Sequence, residues 1–292
     1  MKTETFNQQL MQTTVAAFNQ SGTATIQKTV TGIINVINDP DATVTDLLDL
    51  IEVDPPLAFS LLKVANSAYY SGRHPVASIG DAVVRIGFET LKEIALSQKI
   101  FELFNDHAEY KGFSRIALWK HSIATAILGK MIYRMEFRER GDDIYAAGLL
   151  HEIGLISEDQ ITPVLFREAI SFAVEQGLNL ADAEKSVLGF HHAILAYAIA
   201  KSWQLPEGLT DVIGYHHSPQ LAPEKHIRMA MVLFVADYLC QENEIGYCDA
   251  PYDNQKIYAK CLKRLNIEPY MLDLIFSEMK TRLAELEATG LV

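Results

Sequence analysis

Gly148-Leu149-Leu150-His151-Glu152-Ile153-Gly154 is the stretch on which the reading of the chain turns. Ile144, Ala146, Ala147, Leu149 and Leu150 make an apolar helix that runs straight into an adjacent histidine and glutamate, and then a glycine. Two such polar side chains at the end of a buried helix cost stability unless each has a partner. A metal cation is a common partner for a neutral imidazole beside a carboxylate. Such a pair calls for further ligand-type residues on buried faces elsewhere in the second half of the chain.

Four further elements carry them. His121 has Ala117, Leu118, Ala124, Thr125 and Leu128 at helical spacings around it, which places it on a buried face. His192, of the pair His191-His192, shares a face with Leu195, Ala196 and Ile199, and His191 is the weaker candidate. His216-His217 end a helix just before Ser218-Pro219. Asp237 lies on the apolar helix Met229 to Leu239, facing Ala230, Leu233, Phe234 and Cys240, so its carboxylate needs a positive partner. Each residue alone reads equally well as a packed or solvated side chain. His74, His107 and His226 lie in polar loops or turns and are expected to be solvated. The ordered set His, His-Glu, His-His, His-His, Asp is what points to metal.

The chain around this set has 292 residues, 49% hydrophobic and 21% charged, enough for a substantial core in one large domain or two lobes. A net charge of −12 argues against binding nucleic acid or an anionic membrane surface. Cys240, Cys248 and Cys261 are odd in number and form no C-x-x-C, which suits reduced thiols in a cytoplasmic protein. The polar start has no signal-peptide core, and the longest apolar run, Ala230 to Ala236, is too short for a membrane span.

Periodicity predicts helices almost throughout. Residues 1 to about 22 read as an amphipathic helix or a lead-in ended by Ser21-Gly22. Helices follow over Gln27–Asn38, Val44–Val53 (capped by Thr43), the segment after the N-cap Asp54 and Pro55-Pro56, Ile79–Ile86 (capped by Ser78) and Glu89–Phe104. Polar Asn105–Gly112 is the expected boundary between lobes 1–110 and 111–292. Beyond it come Phe113–Tyr133, Asp143–His151, Thr162–Gln176, Asn179–Leu188, His192–Trp203, Pro206–His217, Ile227–Asn243, Pro251–Leu265 and Pro269–Ala288. No strand, repeat, P-loop or Rossmann glycine pattern is read, so the fold class is all-α.

The order of these residues resembles the HD superfamily of metal-dependent phosphohydrolases, and residues 25 to 240 resemble its HDOD branch, the HD-related output domain of bacterial signalling proteins. The first lobe carries Asp54-Pro55, Leu57, Leu61-Leu62, Ala65-Asn66-Ser67-Ala68, and Ala82 with Ile86-Gly87. The second carries Trp119-x-His121, Gly148-Leu149-Leu150-His151, His192 with Trp203-x-Leu205-Pro206, and His216-His217. The resemblance implies an HD-type helical bundle with an N-terminal helical lobe. It implies one divalent metal, Fe or Mn, on His121, His151, Glu152 and Asp237, and a second on His192, His216, His217 and the shared Glu152. Three departures bear on activity. Glu152 stands for the Asp of the His-Asp pair, Leu155 stands where active phosphodiesterase relatives place a Lys, and no Gly-Tyr-Pro follows His216-His217. The expectation is a metal-binding, catalytically degenerate signalling protein with a protein partner and a possible nucleotide ligand. The alternatives are a phosphohydrolase of a nucleotide or cyclic dinucleotide, and a metal-free scaffold.

Overall fold

A computed structural model describes residues 7–70, 72, 74–106, 109–248 and 254–289. The chain runs α1 (Gln8–Gln20), α2 (Ala24–Asn38), α3 (Val44–Glu52), α4 (Pro55–Ala65), α5 (Ile79–Ile86) and α6 (Phe88–Phe104). A short antiparallel hairpin follows, β1 (Glu109–Tyr110) and β2 (Phe113–Ser114). Then come α7 (Arg115–Ile132), α8 (Asp142–Leu150), α9 (Ile153–Ile161), α10 (Pro163–Gln176), α11 (Leu180–Val187), α12 (His192–Ser202), α13 (Glu207–Gly214), α14 (Ile227–Glu242), α15 (Gln255–Leu265) and α16 (Pro269–Thr289). The fold is all-α, as read. Two elements correct that reading. The hairpin occupies the expected loop, turning through Lys111 and Gly112, both at positive φ. Helix α9 occupies a stretch assigned to no helix. The first three residues of the expected helix Pro251–Leu265 lie outside the described residues.

Caps explain several helix starts. Thr43 and Asp46 form a reciprocal capping box on α3. Ser78 accepts from Asp81 N–H on α5. Asp54 accepts from Leu57 N–H at 3.2 Å and is followed by Pro55 at the first helical position of α4. Asp54 is also buried, and buried Lys99 of α6 meets it at 2.6 Å while Thr29 of α2 donates to it at 3.2 Å. One carboxylate thus joins α2, α4 and α6.

A single apolar core runs through both halves. Helix α1 packs on α9 and α12 of the second half. There Phe18 stacks on Trp203, and Trp203 Nε1 donates to Asn19 Oδ1 at 2.9 Å. Helices α7, α8, α13 and α14 pack on one another, and α12 packs on α9 and α13. Every expected ligand lies on or beside this set of helices.

Candidate metal centre

His121 is in mid-α7, and Asp237 is in mid-α14, which packs against it. His151 and Glu152 form the corner between α8 and α9, with Glu152 at the positive end of α9. His192 opens α12, and His216 and His217 follow α13. The structure brings all seven together. Six of them are buried, with Glu152 the most exposed of the six at 4%, and His217 is half-buried.

Two glycines set the approach of the elements. A Cβ on Gly154 would lie 2.1 Å from the His192 carbonyl oxygen, so only glycine lets α9 close on the start of α12. Gly246, at φ +78°, would place a Cβ 2.5 Å from His121 N; the next residue, Tyr247, donates its N–H to Ala117 O at 2.9 Å.

The ligand atoms form two trios, His121–His151–Glu152 and His192–His216–His217, each with its atoms within 4.8 Å of one another. His121 Nε2 is 2.9 Å from Asp237 Oδ1, and His151 Nε2 is 3.9 Å from the same oxygen. Glu152 joins the trios, its Oε1 lying 3.6 Å from His151 Nε2 and its Oε2 lying 3.4 Å from His192 Nε2. The side chain therefore spans the two groups although it is one methylene longer than aspartate. His192 Nε2 and His217 Nε2 are 2.7 Å apart.

Backbone carbonyls assign two tautomers. His151 Nδ1 donates to Gly148 O at 2.7 Å, and His216 Nδ1 donates to Ile213 O at 2.6 Å. Each is left with an Nε2 lone pair that is buried and has no hydrogen-bond partner. Orphaned buried acceptors of this kind are costly, and a cation between them removes the cost. The donor set thus fits a divalent transition metal, with His121, His151, Glu152 and Asp237 able to hold one ion and His192, His216, His217 and Glu152 a second.

Electrostatics keep these groups in their ligating forms. Burial, reinforced by neighbouring imidazoles, holds His151 and His217 well below the usual histidine range and His216 at about 4. Burial likewise brings His192 to about 3. For Asp237, burial alone would raise the pKa, but the hydrogen bond with His121 and the neighbouring imidazoles outweigh it and leave the carboxyl at about 2. Gln241 Nε2 also donates to Asp237 Oδ1 at 2.9 Å.

Two carboxyls behind the cluster were not foreseen. Glu184 of α11 takes the Nδ1–H of His192 at 2.8 Å. Burial pushes it up to about 8. Glu158 of α9 is fully buried beside it, and burial plus the charge of Glu184 raises it well above the carboxylate range. Leu180, Glu184 and Val187 stand at i, i+4 and i+7, so the argument that placed Asp237 on an inward face applies equally to Glu184. Of the remaining histidines, His191 is half-buried with its ring 6.2 Å from those of His192 and His217. His74 is exposed, as expected. His226 is not free in solvent: Asp211 Oδ2 lies 2.7 Å from its Nδ1. His107 lies outside the described residues.

The space at the cluster is small. A void of about 10 Å³ is lined by Glu152, Leu155, Leu180, His192, His217, Gln241 and Tyr247. That is room for one water. A larger cavity, about 600 Å³, lies between α2, α8 and α14 and is lined by none of the seven residues.

Helices packed around a buried group of five imidazoles and two carboxylates define the class of the chain: a helical protein of the HD type. The HDOD domain family model matches residues 24–219. A crystal structure of an HDOD domain protein of unknown function from Geobacter sulfurreducens superimposes with a TM-score of 0.76 at 26% identity, covering 91% of this chain and 92% of that one. A signal transduction candidate from Marinobacter aquaeolei VT8 shares the fold, with a TM-score of 0.73 at 24% identity over 90% of this chain and 58% of that one. An uncharacterized protein of Treponema pallidum (strain Nichols) is 27% identical over 181 residues, covering 59% of this chain and 33% of that protein. The chain thus matches about a third of the length of that relative. The chain belongs to the HDOD domain family.

Proposed function

We propose that this HDOD protein is a cytoplasmic signalling module that holds divalent metal in a buried imidazole–carboxylate centre and works through protein contacts rather than phosphoester turnover. One observation carries this reading: the space beside the ligand cluster is only about 10 Å³, lined also by Leu155, Leu180, Gln241 and Tyr247. A nucleotide needs a cavity of several hundred Å³. Leu155, 2% exposed, gives an apolar wall where a substrate phosphate would need a cation. The nitrogen-rich set with two carboxylates suits Fe or Mn, and no thiolate is involved. Bound there, such an ion supplies Lewis acidity. The chain's own residues hold the lone pairs in place, exclude water and keep His151, His192, His216 and His217 neutral. The absence, among the described residues, of any helix long and apolar enough to cross a membrane is compatible with a cytoplasmic place.

A second reading, a phosphohydrolase of a nucleotide or cyclic dinucleotide, is favoured by the position of Glu152 between the two trios. An assay separates them. Protein reconstituted with Mn²⁺ or Fe²⁺ is expected to hydrolyse neither bis(p-nitrophenyl) phosphate nor cyclic dinucleotides above the rate of the metal-free control. Metal-dependent turnover that His151→Ala removes would replace the module with the enzyme.

A further inference from the structure

Three contacts tie the Glu184 carboxyl to His192. Its Oε2 accepts the backbone N–H of His192 at 2.8 Å and the ring Nδ1–H at 2.8 Å, and its Oε1 lies 3.1 Å from the same Nδ1. The side chain is fully buried against that imidazole, with Glu158 beside it. A carboxylate in such a place is expensive, and an apolar residue would pack α11 at lower cost. His151 and His216 have their Nδ1 protons taken by neutral backbone carbonyls. His192 alone of these three is held by a side-chain carboxyl, which fixes its tautomer and makes the opposite nitrogen a better donor to metal. That nitrogen, Nε2, faces Glu152 Oε2 and His217 Nε2.

We propose that Glu184 is a positioning residue: by fixing both the tautomer and the plane of His192, it makes the His192–His216–His217 trio a second cation site, distinct in affinity from the first. The inference rests on the metal-binding reading above. The surrounding geometry agrees with it. Glu184 reaches His192 at the backbone and at the ring, so the carboxylate fixes the start of α12 as well as the imidazole. Gly154 holds α9, and with it Glu152, against the same residue.

The test uses the full chain, stripped of metal and titrated with Co²⁺, followed by visible absorption and metal analysis. The wild-type protein should take two equivalents. Glu184→Gln keeps the shape but puts an amide NH2, which can only donate, in place of one carboxyl oxygen. It should leave the first equivalent within about twofold and weaken the second by about 10- to 100-fold, with an unchanged melting temperature for the metal-free form. His192→Ala should match it at the second site. Wild-type affinities at both sites in Glu184→Gln overturn the proposal while leaving the metal reading intact. A wild-type protein that binds no Co²⁺ overturns both. Should Glu184→Gln not fold, ¹⁵N NMR of the metal-free wild-type chain decides the matter: a proton on Nδ1 of His192 is expected, and a proton on Nε2 overturns the assignment.

Discussion

Stripped of metal, the protein should unfold at about pH 5, well above the range in which carboxylates titrate. The cause is the group of imidazoles that the fold buries. Burial, with help from neighbouring charges, holds His191 and His192 at about 3 and His216 at about 4. His151 and His217 are held well below their ordinary range by burial and by the other histidines. A histidine in the unfolded chain titrates near 6.5. Below that pH the unfolded state therefore binds more protons than the folded state. The stability these groups contribute is complete above pH 6.5 and drains as the pH falls toward their folded values. Each such imidazole removes up to ~1.4 kcal/mol per pH unit. Several acting together exhaust a net stability of about 5–15 kcal/mol within two pH units. Glu158 and Glu184 act in the opposite sense. Their raised values mean stability that is full below the ordinary glutamate range and lost as the pH rises, for Glu184 through about 8. The metal-free protein should thus be most stable near neutrality. Urea midpoints at half-unit pH intervals test this, and a midpoint that stays flat from pH 7 to pH 5 would contradict it.

Lys99→Met should destabilise the protein by about 3–5 kcal/mol. Lys99 and Asp54 are 2% and 4% exposed, and their charged atoms are 2.6 Å apart. Removing the ammonium leaves Asp54 buried with no cation against it, while its other duties remain: the cap of α4 and the hydrogen bond from Thr29. Glu102, 3.0 Å from Lys99, loses the same partner, but it is one-third exposed and can turn to water. Pairing the change with Asp54→Asn, which keeps a capping oxygen and removes the buried charge, should recover at least half of the loss. Chemical denaturation of the single and double variants measures both effects. A cost below about 1 kcal/mol for Lys99→Met would mean that the pair behaves like a surface contact.

The helices and the metal-type residues were legible for one reason: a periodic apolar face assigns an inward direction to whatever polar residue shares it. That argument placed His121, His192 and Asp237 correctly, and local side-chain chemistry located the caps Thr43, Asp54 and Ser78. It failed where a residue's meaning depends on a distant neighbour. Gly154 reads as a helix stop, yet it lies in the first turn of α9, because its missing side chain is what the His192 carbonyl requires. The polar run Ser157-Glu158-Asp159-Gln160 then hides the rest of that helix. Lys99 and Glu158 look like solvated positions, since charge on a helix normally faces water; only the packing of α6 and α9 reveals them as buried. The closure of the site by Leu180 and Tyr247, from α11 and from the turn after α14, is likewise a property of packing.

The central claim is that residues far apart in the chain share cations. Metal analysis of the purified protein beside a His151→Ala, Glu152→Ala double variant tests it most directly. The account predicts one to two equivalents of a divalent transition metal, iron or manganese, in the first protein and a loss of most of it in the second. Equal metal content in the two, or none in either, would contradict it.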